Sequence, residues 1–272
     1  MLKMLKNSLF SHENKKENTD VANKSTGGVL AVWGSPSSGK TTLSVKLAKH
    51  LADRKQDTVL LLCDMTAPAI PYICAPSELE CGGSLGSVLS AETVTPSLVK
   101  QNMAVLKHND HIAILGMQKG ENGYTYPAYN EKQAAELLEL LKEIAPNVII
   151  DCSSYFANDI LSTLALINAD SVLRLMTCEL KSVSYYSSQL ALLKNSGRWN
   201  EEKQYICASN IKYQEETAQI EQSAGSSAFK LWHSDELETQ IRTGELLRDL
   251  TLKESRAYKS EIAKISKEVF GT

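Results

Sequence analysis

Short apolar runs alternate with helical patterns along the chain from residue 28 onward. Near-continuous apolar runs predict strands at 28–33, 57–63, 111–116, 147–150, 171–176, 204–209 and 228–232. Runs of this kind suit strands buried on both faces. Between them, apolar residues recur at helical spacing, which predicts helices over 40–53, 84–90, 95–106, 131–144, 157–168, 181–195, 213–224, 235–243 and 253–269. Strands alternating with helices imply an α/β fold, with a mostly parallel central sheet of about seven strands and crossover helices on both faces. No repeat or linker interrupts this region, so one domain is expected over 28–272.

Residues 1–27 read differently. The stretch 11–24 is polar and nearly free of large apolar side chains, so it cannot bury enough surface to fold and is expected to be a disordered tail. Leu2, Leu5 and Leu9 fall on one helical face with Lys3 and Lys6 beside it. The first ten residues therefore carry the pattern of a short helix that docks on a membrane surface or a partner. A helix of that length is marginal alone.

Composition narrows the class. The 272 residues are 43% hydrophobic and 22% charged, which supports a sizeable soluble core. A formal net charge of −3 argues against a protein that holds nucleic acid by charge alone. No apolar run approaches the ~20 residues a membrane helix needs, and the N-terminus is too short and polar for a signal peptide. Six cysteines stand at 63, 74, 81, 152, 178 and 207, with no C-x-x-C pair and no zinc spacing. Those beside strand runs read as small buried hydrophobes in a reducing compartment, so the expected location is cytoplasmic.

The candidate chemistry starts at Gly34-Ser35-Pro36-Ser37-Ser38-Gly39-Lys40-Thr41, which spells G-x-x-x-x-G-K-T. A strand run enters it and a helical pattern leaves it. That geometry aims backbone N–H groups and a helix N-terminus at a phosphate. Gly34 and Gly39 permit tight turns and close backbone approach. Pro36 has no N–H to give, so the donors must come from Ser37, Ser38, Gly39, Lys40, Thr41 and Thr42. Lys40 is expected on the β- and γ-phosphates and the Thr41 hydroxyl on Mg²⁺. Two aspartates close strand runs, where ligands of open parallel sheets bind. Asp151 ends N-V-I-I-D and reads as the second acidic motif of a P-loop enzyme. Asp64 ends V-L-L-L-C-D on the strand after the P-loop helix. Both are expected to hold Mg²⁺, through water. The pattern implies a three-layer P-loop NTPase fold, and the lack of N-K-x-D leans to ATP over GTP.

The order of these motifs resembles the MinD/ParA group of P-loop ATPases. The resemblance continues through Asp151-Cys152-Ser153-Ser154, through 174–182, and through 231–244. It implies that Asn210, Trp232, His233 and Ser234 flank the adenine, with Trp232 where a proline is usual. Within the group, the DCSS segment and a missing lysine look most similar to the CpaE/TadZ branch, which positions tight-adherence pilus or secretion machinery. Two departures stand out. The family's signature lysine after the first loop glycine is replaced by Ser35, and its hydrolytic aspartate two residues after the Asp64 position by Thr66. Threonine does not orient or deprotonate water as a carboxylate does. The resemblance thus implies ATP/ADP and Mg²⁺ binding, catalytic roles for Lys40, Asp64 and Asp151, and slow or absent hydrolysis in which Thr66, Ser153 or Ser154 would position water. It also implies a nucleotide-dependent homodimer, a protein partner, and a location in the cytoplasm or at the inner face of the membrane. A DNA-partitioning protein and a nucleotide-binding scaffold are the alternatives.

Two weaker patterns remain open. Tyr124, Tyr126 and Tyr129 follow a Gly-rich stretch and either bind a partner or pack over the sheet edge. The stripe Tyr258, Ile262, Ile265 and Val269 suits a closing helix packed on the sheet better than a membrane-targeting one.

Overall fold

A computed structural model of the protein describes residues 27–80, 82–195, 200–213 and 217–272. The N-terminal tail and its docking helix, Cys81 and Trp199 lie outside the described residues. The chain opens with β1 (Gly28–Gly34), α1 (Lys40–Asp53), β2 (Thr58–Leu62) and a one-turn helix α2 (Ile70–Ile73). It continues through β3 (Leu79–Glu80), α3 (Leu85–Leu89), α4 (Pro96–Asn102), β4 (Ala104–Leu106) and β5 (Asn109–Leu115). Next come α5 (Glu131–Ile144), β6 (Asn147–Asp151), α6 (Ile160–Asn168), β7 (Ser171–Thr177) and α7 (Leu180–Asn195). The last elements are β8 (Gln204–Ile211), α8 (Ala218–Ala224), β9 (Phe229–Trp232), α9 (Asp235–Thr243) and α10 (Arg256–Phe270).

Among the described residues nine strands form one sheet, ordered β3-β4-β5-β2-β6-β1-β7-β8-β9. All neighbours run parallel except at one edge, where β4 is antiparallel to both β3 and β5. Side chains alternate between the two faces, as the strand period requires. From β1, Leu30 and Val32 enter a core built with α1, α9 and α10, while Val29, Ala31 and Trp33 enter a second core with α5, α6 and α7. Because both faces are covered, β1, β2 and β6 carry almost no polar side chains, which is why their runs read as continuous. β1 lies between β6 and β7, with Val32 opposite Asp151 and Gly34 opposite Leu175. The carboxyl ends of the central strands therefore converge around the turn that follows Gly34.

Local chemistry sets several boundaries. Asn130 and Gln133 form a reciprocal capping box at the start of α5. Ser234 caps α9, and Gly244 ends it at φ 71°. The closing helix α10 buries Tyr258, Ile262 and Ile265 against α1 and β9, so that stripe packs the core. Cys63, Cys74, Cys152 and Cys207 are buried free thiols. No helix among the described residues is long and apolar enough to cross a membrane.

The sheet exceeds the seven strands expected because two edge strands are very short. The helix expected over 95–106 stops at Asn102, and 104–106 turns into β4. Periodicity does not separate a short apolar run in a helix from one in a strand. Here Val105 pairs with Ala113, and Ala104 and Val105 reach opposite cores. The helix expected from 157 begins at Ile160, where the Asp159 carboxylate accepts the Leu161 N–H. The one expected from 253 begins with a 3-10 turn at Lys253–Ser255 and becomes α-helical at Arg256.

Glu236 in the first turn of α9 ties this end of the molecule together. Its carboxylate accepts Thr251 N–H at 2.7 Å, Leu252 N–H at 3.1 Å and the Ser255 hydroxyl at 2.5 Å. Burial alone pushes its pKa up, but these donors outweigh it and hold the carboxyl down at about 2. A depressed carboxyl stabilises the fold above its unfolded pKa, near 4.5, and loses that contribution as pH falls toward 2. Glu236→Gln is expected to destabilise the chain at pH 7 by on the order of 1 kcal/mol, a figure kept low because water reaches the group. The same variant is expected to flatten the acid limb of the unfolding profile between pH 4.5 and 2. Thermal melts across that range check both effects.

Candidate nucleotide site

The turn after β1 wraps around a space at the head of α1. Gly34 has no room for a side chain: a Cβ there would lie 2.4 Å from the Leu175 carbonyl oxygen. Ser37 and Gly39 adopt positive φ, 62° and 87°, which curls the loop and turns successive N–H groups inward. The Ser38 N–H donates to Ser35 O at 3.2 Å, and the Ser209 hydroxyl, from β8, donates to Ser38 O at 2.8 Å. No side chain caps α1, since Gly39 stands at its N-cap. Its first N–H groups are left for a ligand, and a helix N-terminus favours an anion.

Lys40 opens α1 and is buried. Its ammonium donates to Ser35 O at 3.1 Å and to Ser154 Oγ at 2.6 Å. Burial lowers its pKa, and the nearby Asp151 and Asp64 carboxylates oppose that shift. One residue on, the Thr41 hydroxyl donates to Asp151 Oδ2 at 2.5 Å. Asp151 is buried, and its other oxygen has no hydrogen-bond partner in the protein. Burial raises its pKa to about 6, against the pull of Lys40 and Thr41. Asp64 sits one strand away and accepts the N–H groups of Thr66 and Ala67 at 2.8 and 3.0 Å. The donor set of Thr41, Asp64 and Asp151 is all oxygen, which suits a hard cation such as Mg²⁺. The unpaired Asp151 oxygen is the group such a cation or its bound water would satisfy.

The expected base-side residues divide between two cavities. Asn210, at φ 56°, shares a cavity of about 340 Å³ with Ser35, Pro36 and Ser37. Trp232 and His233 line a second one of about 460 Å³ with Lys212, Tyr213 and Glu254. The His233 ring joins the two, with Nδ1 2.8 Å from Asn210 Oδ1. Ser234 is buried, and its hydroxyl caps α9 and contacts Ser255 at 2.9 Å, so its side chain is engaged in the fold. Thr66 is exposed with its N–H turned onto Asp64. Ser153 Oγ accepts the Tyr155 N–H at 3.1 Å.

Of the tyrosines in the loop after β5, two are structural. Tyr126 lies over Gly86 and donates to Glu121 at 2.7 Å, and Tyr129 donates to Asp159 at 2.8 Å. Tyr124 is 99% exposed. Together they wall a groove of about 600 Å³ that runs from Thr66 and Ser153 away from the P-loop.

Sequence reasoning missed the residues of α7 that grip the loop. Ser35, at the family's lysine position, is 5% exposed and sits 3.1 Å from the Ser182 hydroxyl. Tyr185, three residues on, accepts the Trp33 indole N–H at 3.0 Å and donates to the Ser154 carbonyl. Their i, i+3 spacing is visible in the sequence, but nothing there says which strand end the pair faces.

This architecture has close structural parallels. A chain of the MinC:MinD cell division protein complex from Aquifex aeolicus superposes with a TM-score of 0.67 at 14% identity, covering 90% of this chain and 96% of that one. A ParA family ATPase from Chlorobium tepidum gives a TM-score of 0.71 at 12% identity over 89% and 98%. The septum site-determining protein MinD from Pyrococcus horikoshii, complexed with Mg-ADP, gives 0.68 at 13% over 89% and 95%. The fold is that of MinD and ParA ATPases. At these identities the likeness is one of fold. No protein-family model matches the chain, and no curated protein matches it in sequence. The P-loop, Asp64 and Asp151 thus stand at the strand ends of a MinD/ParA fold, with Ser35 buried where the family resemblance implies an outward-reaching lysine.

Proposed function

We propose that the protein is an ATP-Mg²⁺-binding switch that hydrolyses ATP slowly or not at all and regulates a partner assembly at a cell site. The observation that carries this reading is the set formed by a curled loop with free N–H groups, a buried Lys40 at the helix head, and Asp151 with one oxygen unsatisfied. Lys40 and the loop amides bind the β- and γ-phosphates. Thr41, with Asp64 and Asp151 through water, holds Mg²⁺, which neutralises phosphate charge when bound. Asn210, Trp232 and His233 flank the base.

Two features support slow turnover. Thr66 is exposed and offers no carboxylate to a water, and one Asp64 oxygen is engaged by two backbone N–H groups. Ser35 is buried against Ser182 and cannot extend to a second subunit. A homodimer would therefore form through other contacts. Control of a pilus or secretion assembly, as in the CpaE/TadZ branch, is the specific partner reading that the DCSS segment and the missing lysine suggest.

Sedimentation velocity without nucleotide, with ADP-Mg²⁺ and with ATP-Mg²⁺ tests the switch. An ATP-specific change in sedimentation, absent in Lys40→Ala, is expected. Identical boundaries in all three states contradict it and leave a scaffold that keeps the fold.

A further inference from the structure

The P-loop lysine is held in a ring of contacts that closes through helix α7, which grips both residues that accept its hydrogen bonds. Lys40 Nζ donates to Ser35 O and Ser154 Oγ. The Ser35 side chain meets Ser182 Oγ at 3.1 Å, and Ser182 Oγ in turn accepts the Thr177 N–H at 3.1 Å. The Ser154 carbonyl accepts from Tyr185, whose oxygen accepts the Trp33 indole N–H at 3.0 Å. Ser182 and Tyr185 are i and i+3 on α7, so they share one face. Trp33 is fully buried, stacked edge-on against Phe156 with centroids 5.5 Å apart, and gives the Tyr185 hydroxyl a fixed partner.

We propose that Tyr185 is a positioning residue of a latch, which holds Ser154 on Lys40 as a partner that phosphate must displace. The proposal rests on the reading that this loop binds ATP. A buried ammonium needs acceptors, because leaving its N–H groups bare costs more than the bonds return. Neutral Ser154 Oγ meets that need, yet it loses to phosphate oxygens, whose negative charge adds ion-pair attraction to the hydrogen bond. When Lys40 turns to phosphate, Ser154 loses its side-chain partner, and its carbonyl transmits the change to Tyr185 and Trp33. The segment 153–155 also borders the groove walled by Tyr124 and Tyr129. Nucleotide occupancy is thereby felt on a surface the nucleotide does not touch.

Linkage gives the sign. A contact that phosphate must displace opposes binding, so weakening it tightens the ligand. Tyr185→Phe keeps the ring and removes the hydroxyl, and it is expected to raise ATP-Mg²⁺ affinity roughly five-fold, the worth of one ordinary hydrogen bond. Ser154→Ala removes the Lys40 partner on a solvent-facing loop and is expected to do the same. The double variant is expected to equal either single one, because both changes open the same ring.

Isothermal titration of ATP-Mg²⁺ into the full chain measures the affinities. The Trp33 indole N–H resonance, assigned by its loss in Trp33→Phe, reports the coupling. It is expected to move on ATP addition in the wild type and to stay still in Ser154→Ala. Unchanged or weakened affinity in Tyr185→Phe, additive effects in the double variant, or a Trp33 response that survives Ser154→Ala would each overturn the latch while leaving nucleotide binding intact. Failure of the wild type to bind ATP removes the nucleotide reading itself, and the latch with it.

Discussion

Lys40→Ala is expected to weaken ATP-Mg²⁺ binding at least a hundredfold. The ammonium is buried and bonded to the neutral acceptors Ser35 O and Ser154 Oγ. On phosphate, each such bond gains ion-pair attraction and contributes ~1.5–3 kcal/mol. Loss of two of them exceeds ~3 kcal/mol, and every ~1.4 kcal/mol is tenfold in affinity. The fold itself is expected to tolerate the change, because burial already disfavours the charge that alanine removes. Lys40→Arg is not expected to restore binding, since a planar fork does not replace a compact ammonium in an enclosed loop. Equilibrium dialysis with ATP-Mg²⁺, beside a thermal melt of each variant, separates lost binding from lost structure. A Lys40→Ala chain that binds like the wild type would contradict the placement of phosphate on this loop.

Gly34→Ala is expected to produce the largest stability loss of any single methyl addition in the site. The new Cβ would meet Leu175 O at 2.4 Å and Ser38 Oγ at 2.7 Å. The Ser38 side chain can rotate away. The Leu175 carbonyl cannot, because β7 pairs with β1 at that point, with Gly34 opposite Leu175. Overpacking of this kind costs up to ~3 kcal/mol. For a chain of this size each kcal/mol shifts the melting temperature by roughly 2–4 °C, so a fall of about 6–12 °C follows. Gly120→Ala is the control. Gly120 has a positive φ, 86°, and no atom lies within 4 Å of its added Cβ. There the cost is backbone strain alone, ~1–2 kcal/mol. A Gly34→Ala melt that matches the wild type would mean the contact at Leu175 is relieved at no cost.

The parts of the fold that the sequence made legible are those where a local pattern and the tertiary demand coincide. β1, β2 and β6 are covered on both faces, so their interior positions are apolar and the runs stand out. The spacing from Gly34 to Thr41 leaves few backbone solutions, and the loop has the curl that its glycines allow. Asp151 was legible because a lone carboxylate closing an apolar run has few other uses. Elsewhere the deciding partner is far along the chain. Val105 lies in a strand only because Ala113 is there to pair with it. Ser234, expected beside the base, is buried as a helix cap against Ser255. Tyr126 and Tyr129 are fastened to Glu121 and Asp159, and only Tyr124 is left exposed. The grip of Ser182 and Tyr185 on the loop joins residues about 150 apart in the chain, which no spacing rule reports.

The central claim is that Lys40, Thr41 and Asp151 together form an ATP-Mg²⁺ site. Calorimetric titration of ATP into the wild-type chain, with Mg²⁺ and then with chelator in its place, tests it most directly. The account predicts one saturable site per chain whose affinity falls when Mg²⁺ is withdrawn. No saturable heat in either condition, or binding that ignores Mg²⁺, would contradict it.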